Sequence, residues 1–507
     1  MRERLAAAGT GLSTVFVGEK SLHSRYDPAG EGEKYIRALN FTEGESGKPG
    51  EKIQFLILIE PGLGYIIPAL RRVFPLAKII ALHVSDFFTR FPCESGENTV
   101  RWSPGSGLSC TEFLEQEIPD IGIRAVKIVE WRPALAAYGA AYRDLLETAV
   151  TFLRRIDANA RTVSGFGRRW VRNFFRNIST LRVFFSILPG SGPWIITGAG
   201  PGLEGVLPLI ADMQQKGATV LAASSSVPAL AAGGIAPDLV IGTDGGGWAK
   251  FHLWEAWRCA LGRAKGGPFF LAASLTAALP CQYSDFPVLP LSDGSRWQEA
   301  ALKALGVPRL VFPQRGTVAA SALDLALCCT TGGVFLAGLD LSNEDIKTHA
   351  RPYALDRFYE DGATRLTPRY SQAFDRAGQL SASGSRRVYA EWFGGQLRAY
   401  PGRIRSLGKN NPVFDALPSG DAPESYEGTQ GMGRARIKTR VFRRAPDISG
   451  ETVRVLTGLL DASGPALAIR RELASLLFPG GEEPPLEQLI REINGLAARR
   501  GGRTRDE

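Results

Sequence analysis

Trp194-Ile195-Ile196-Thr197-Gly198-Ala199-Gly200-Pro201-Gly202-Leu203 is an apolar run, a glycine-rich turn and the opening of a helix within ten residues. Gly198 and Gly200 let the chain turn sharply, and Pro201 suits a helix start. The helix beyond presents unpaired N–H groups and the positive end of its dipole, so the turn is ready for a phosphate. Outward from it the alternation repeats. A helix is expected over 203–216, strands over 218–223 and 238–241 with a short helix over 227–232 between them, then apolar runs over 268–273 and 310–312, a helix over 317–329 and a strand over 334–338. Strands alternating with helices predict an α/β domain with a doubly wound, mostly parallel sheet.

Such sheets bind ligands outside the carboxyl ends of their strands. Here those ends are 198–202, 224–226, 243–247, 274–276, 314–317 and 338–342, all small or polar. The nucleotide-binding candidates are therefore Gly198, Gly200, Pro201, Gly202, Leu203, Ser224, Asp244, Arg315, Thr317 and Asp340. A dinucleotide fingerprint would need glycine at Leu203 and an acid at 224–226, and no Lys-Ser or Lys-Thr closes a P-loop, so neither motif is present. Asp244, among glycines past a strand end, suits a ribose or sugar hydroxyl or Mg²⁺, or else a turn. Asp340 either caps a turn or holds a ribose. Asp238 opens its strand and reads as structural. His349, in the polar stretch after Asp340, is the candidate general base, and a surface-loop histidine is the other reading. Asp244 is the second catalytic candidate. His23, His83 and His252 read as core or interface residues. Arg315 and Thr317 open a helix and suit a phosphate, as do Lys409-Asn410-Asn411.

The chain has 507 residues, which at roughly 150 per domain suggests about three domains. Apolar residues at 44% and charged ones at 22% describe a folded chain, not a disordered one. Sixty Lys and Arg against 51 Asp and Glu leave a charge of +9, spread too widely for nucleic acid and favouring anionic ligands. No apolar run reaches the roughly 18 residues of a membrane helix, and the N-terminus lacks a secretory pattern, so a cytoplasmic protein is expected. Six cysteines without a C-x-x-C pair and four histidines give no zinc spacing, and no metal site is expected.

Before the glycine turn, 53–59 and 78–84 read as strands around a helix at 65–74, with Gly62-x-Gly64 as a structural turn. Helical patterns cover 134–156 and 168–188, where Arg168, Arg172 and Arg176 form a basic stripe that is either solvated or faces a phosphate or acidic partner. After Asp340 periodicity fades to about residue 385, and 418–433 reads as loop. Arg434, Arg436, Lys438 and Arg440 alternate as on one face of a strand. Helices are expected over 451–477 and 486–499, stopped by Gly501-Gly502. The expected organisation is a smaller N-terminal α/β domain at 1–133, a helical linker at 134–188, a nucleotide-binding domain at 189–416, and a basic strand with C-terminal helices at 417–507.

The 195–203 stretch, Gly234-Ile235-Ala236-Pro237-Asp238-Leu239-Val240 with Asp244, and Gly338-Leu339-Asp340-Leu341-Ser342 with His349 together resemble the motility accessory factors. Their central domain is shared with the archaeal 6-hydroxymethylpterin diphosphokinase MptE. Leu22-His23-Ser24-Arg25-Tyr26-Asp27-Pro28, Glu130-Trp131-Arg132-Pro133, Arg169-Trp170 and Asn173-Phe174-Phe175 are similar to that family's flanking regions. The resemblance runs from about residue 20 to 350, and more loosely beyond. It implies a domain similar to CMP-sialic-acid-using sialyltransferases, a CMP-sugar as donor, flagellin Ser or Thr as acceptor, and transfer of a nonulosonic acid sugar with no required cofactor. The alternatives are diphosphate transfer from ATP to a pterin with Mg²⁺, and a non-catalytic nucleotide-binding scaffold. Gly202 stands where the family usually has Ser, and Leu339 where it often has Gln.

Overall fold

The computed structural model describes residues 3–39, 53–91, 98–118, 126–261, 270–312, 315–382, 385–408, 438–443, 449–461, 465–479 and 484–498. Lys409-Asn410-Asn411, the 418–433 loop, Arg434, Arg436 and Gly501-Gly502 lie outside them. The chain divides into two compact units, Met1–Gly165 with Phe478–Glu483, and Phe166–Leu477 with Pro484–Glu507. The division falls within the helix Ala140–Thr180.

The first unit contains a three-stranded antiparallel sheet and a four-stranded parallel one ordered Thr99–Trp102, Lys78–Leu82, Phe55–Ile59, Val126–Glu130. The last three include the expected β-α-β unit, whose helix is Ile67–Val73. Leu56 to Ile59 and Ile79 to Leu82 are almost wholly buried, as continuous apolar strands of a parallel sheet covered on both faces should be. The turn after Phe55–Ile59 holds an imidazole, since Leu63 N–H donates to His23 Nε2 at 2.9 Å. Burial lowers the His23 pKa to about 3. His83 Nδ1 lies 3.1 Å from the buried Glu60 carboxylate. Both histidines are core residues, as read from the sequence.

The second unit is built on a ten-stranded sheet ordered Ile404–Ser406, Val334–Ala337, Trp194–Thr197, Thr219–Ala223, Leu239–Gly242, Phe270–Ser274, Val288–Ser292, Val183–Leu188, Lys438–Arg443, with Leu310–Val311 also on Val288–Ser292. Every pairing is parallel except the last of the series, where Lys438–Arg443 runs antiparallel to Val183–Leu188. The expected doubly wound, mostly parallel sheet is thus present. Its register sets Val334 and Thr219 on either side of Trp194. Helix Val318–Cys329 buries Ala322, Leu323, Leu325 and Ala326 against it.

Three expectations need correction. Residues 183–188, read as a continuation of a helix, form a strand, because Val183-Phe184-Phe185 and Ile187 gain more by pairing between Val288–Ser292 and Lys438–Arg443 than by extending a helix that ends at Thr180. The helix read over 451–477 is two, Ser449–Asp461 and Pro465–Leu477. The polar stretch after Asp340 contains helices Asp356–Asp361 and Arg369–Ala382. No helix among the described residues is long and apolar enough to cross a membrane.

Candidate active site

From Trp194–Thr197 the strand order runs one way to Val288–Ser292, and the chain then returns to place Val334–Ala337 on the other flank of Trp194–Thr197. That is the topological switch point, where ligands of such sheets bind. The 198–202 and 338–342 turns meet there. Gly198 N–H donates to Ala337 O at 2.8 Å, Gly200 N–H to Gly338 O at 2.7 Å, and Gly202 N–H to the Asp340 carboxylate at 2.7 Å. A Cβ on Gly200 would stand 2.7 Å from Gly338 O, so glycine is required for the turns to approach. The N-terminus of helix Leu203–Gln215, expected to face a phosphate, carries the Asp340 carboxylate instead. Burial raises the Asp340 pKa, Glu344 adds to the rise, and the Gly202 N–H opposes it.

Both departures from the family pattern lie in this contact. A Cβ at Gly202 would come within 2.6 Å of Asp340 Oδ1, so a serine there would push the carboxylate off the helix. Leu339, buried in the core cluster, packs toward Gly198. Gly202 and Leu339 tighten the joint between the two turns.

His349 sits on the loop that packs over this joint. Ala350 N–H donates to Ala199 O at 2.8 Å, while Glu204 of the helix accepts Arg351 N–H at 2.6 Å and Lys347 Nζ at 2.8 Å. Burial works against ionising Glu204, but Lys347 and Arg351 outweigh it and lower its pKa. The His349 ring stacks on Tyr353 with centroids 4.1 Å apart, and Thr348 Oγ1 lies 2.9 Å from its Nδ1. On the other side the Tyr353 hydroxyl lies 3.0 Å from His252 Nε2. Burial raises the Tyr353 hydroxyl pKa and lowers that of His252, with the Asp244 charge opposing the second shift. The loop thus joins two imidazoles through one phenol. Sequence reading missed the second, because His252 lies on Ala249–Leu261, a helix whose apolar residues hide which face points to the strand ends.

The remaining candidates are dispersed along the same edge. Asp244 is exposed and closes a turn by accepting Gly246 N–H at 2.7 Å. Ser224 is 7% exposed, beneath the surface a ligand would touch. Arg315 Nε pairs with Asp324 at 2.9 Å, and its guanidinium lies over Trp392. Thr317 caps helix Val318–Cys329 without a side-chain hydrogen bond. Asp238 accepts Val220 N–H and a Gln214 Nε2–H, a structural role.

The basic helix proves structural in part. Arg168 pairs with Glu492, and Arg176 donates to Leu279 O. Beside these arginines, Asn173 donates to Gly245 O and Thr276 O, and Asn177 to Leu275 O and Ala277 O, both at 2.8 Å. Two buried amides thereby fix the loops after Leu239–Gly242 and Phe270–Ser274. Asn177→Ala takes its donor from the Leu275 carbonyl, while Ala277 O keeps Leu279 N–H, and is expected to destabilise this unit by about 1–3 kcal/mol, read from its urea unfolding midpoint. A midpoint equal to the parent's would mean the loops hold themselves.

Residues 168–345 match the family model described as 6-hydroxymethylpterin diphosphokinase MptE-like. This match lies within the second unit and begins near its boundary at Phe166. An uncharacterized protein of Treponema pallidum (strain Nichols) is 27% identical over 358 residues, 70% of this chain and 74% of that protein. A second from the same organism is 25% identical over 232 residues, 42% of this chain and 74% of its own length. Among solved structures, the MAf glycosyltransferase from Magnetospirillum magneticum AMB-1 is similar with a TM-score of 0.54 and 13% identity, over 98% of this chain and 86% of that one. At that identity the likeness is one of fold.

Proposed function

We propose that the protein is a glycosyltransferase that moves an acidic, nonulosonic-type sugar from a CMP-sugar to a Ser or Thr hydroxyl of a flagellin-type acceptor. The observation that carries this reading is the Ala350–Ala199 backbone bond, which sets the imidazole loop directly against the glycine turn at the switch point. The nucleotide lies across the strand ends, with the 198–203 turn beneath it and Asp244, Arg315 and Thr317 along its path. His349 takes the acceptor hydroxyl proton as the new carbon–oxygen bond forms. The sugar–phosphate bond breaks, and CMP leaves with the electron pair.

The family description favours a second reading, diphosphate transfer from ATP to a pterin alcohol. Asp244 and Asp340 would then hold Mg²⁺, which supplies charge neutralisation at the phosphates. Each already accepts a backbone N–H, and their strands are separated by Trp194–Thr197 and Thr219–Ala223, so each would hold a cation of its own, its shell completed by substrate phosphates. Calorimetric titration separates the readings. CMP is expected to bind equally with and without EDTA, whereas a strict Mg²⁺ requirement together with diphosphate transfer to a pterin would establish the second.

A further inference from the structure

Beside the candidate active site, a cavity of about 160 Å³ is lined by Arg351, Asp356, Tyr359, Arg369, Tyr370 and Arg376, among others. It lies between the His349 loop and the helices Asp356–Asp361 and Arg369–Ala382. The arginines in its wall are not equivalent. Arg351 pairs with Asp356 at 3.0 Å and Arg369 with Glu360 at 2.9 Å. Arg376 instead lies over Tyr359, its guanidinium carbon 3.7 Å from the ring centroid, and among the described residues nothing accepts a hydrogen bond from it. Stacking fixes the plane of a guanidinium while leaving its fork of donors in that plane, an arrangement suited to a two-oxygen acceptor.

Charge points the same way, since Asp356 and Glu360 balance Arg351 and Arg369 and leave the Arg376 charge over. The cavity is joined to the candidate active site through Tyr353, whose backbone N–H donates to Asp356 Oδ2 at 2.9 Å and whose ring carries His349. The Arg376 charge also acts on the Tyr353 hydroxyl, working against the rise that burial causes.

We infer that this cavity is an anion subsite, in which Arg376 grips a carboxylate or phosphate group of the ligand whose reacting end reaches His349. The existence of the subsite stands on Arg376 and the cavity; only the ligand's identity rests on the glycosyltransferase reading. A carboxylate would come from the acidic sugar, a phosphate from the nucleotide.

The test is calorimetry on the full chain with N-acetylneuraminate, its methyl ester, inorganic phosphate and CMP, for the parent, Arg376→Gln and Arg376→Lys, each checked for an unchanged melting temperature. The parent is expected to bind N-acetylneuraminate but not its ester. Arg376→Gln should weaken the acid by about 10- to 100-fold, Arg376→Lys by less, and CMP binding should change by less than about twofold. Arg376 dependence of phosphate and CMP in place of the sugar acid would uphold the subsite and assign it to the nucleotide. Arg376-dependent anion binding in a protein that ignores CMP would uphold the subsite while ending the glycosyltransferase reading. Affinities unchanged by Arg376→Gln for every probe, or no anion bound by the parent, would overturn it.

Discussion

On the proposed glycosyltransferase function, His349→Ala is expected to lower sugar transfer by about 10²- to 10⁴-fold, the usual contribution of a general base, while CMP affinity stays close to the parent value. A base acts on a proton that moves only in the transition state, so its loss appears in turnover and not in ground-state binding. Two contacts already hold the ring, the Tyr353 stack at 4.1 Å and Thr348 Oγ1 at 2.9 Å from Nδ1. These contacts fix the orientation of the imidazole. Transfer is read as the mass shift of the acceptor protein, and affinity by calorimetry. His252→Ala is the informative companion, because His252 reaches the same phenol from the opposite side. If His349→Ala transfers at the parent rate and His252→Ala does not, the base is His252 and the loop histidine only supports Tyr353.

Most of the alternation from Trp194 to Ala337 was legible because most of its strands are buried on both faces, so sequence hydrophobicity and structural burial coincide; Leu310–Val311 is part-exposed, and Val288–Ser292, buried around Pro290, was not read. Leu239–Gly242 and Val334–Ala337 are wholly buried, and both were readable. Legibility failed where long-range pairing decided the outcome. Val183–Leu188 follows a helix directly and becomes a strand through partners about a hundred residues and more away, Val288 and Lys438–Arg443. The site shows the same division. Strand ends could be located from the sequence, and the turns at 198–202 and 338–342 do meet. What occupies the helix N-terminus could not be read, because Asp340 reaches Gly202 across 138 residues. The Tyr353 bridge between two imidazoles, and the fork of Arg376, without an acceptor among the described residues, depend likewise on segments whose periodicity had faded.

That geometry makes a second strong prediction, on what the glycines are for. Gly338 has φ +62°, and a Cβ there would lie 2.5 Å from Gly198 O and 2.7 Å from Leu203 Cβ. Left-handed backbone costs an L-residue roughly 1–2 kcal/mol, and overpacking a tight contact roughly 1–3 kcal/mol. Gly338→Ala is therefore expected to destabilise the Phe166–Leu477 unit by about 2–5 kcal/mol, with no nucleotide present, and Gly338→Val by more. Gly205, in helix Leu203–Gln215, has ordinary φ and nothing within 4 Å of its would-be Cβ. Gly205→Ala is the control and should leave stability unchanged or raise it by up to about 1 kcal/mol. Urea unfolding measures both. The result that matters most is the dissociation of stability from binding. If Gly338→Ala unfolds like the parent yet loses CMP, the glycine serves the approach of a ligand. If stability falls before any ligand is added, the glycines exist so that two turns can touch, and ligand recognition at this edge passes to the side chains around the joint.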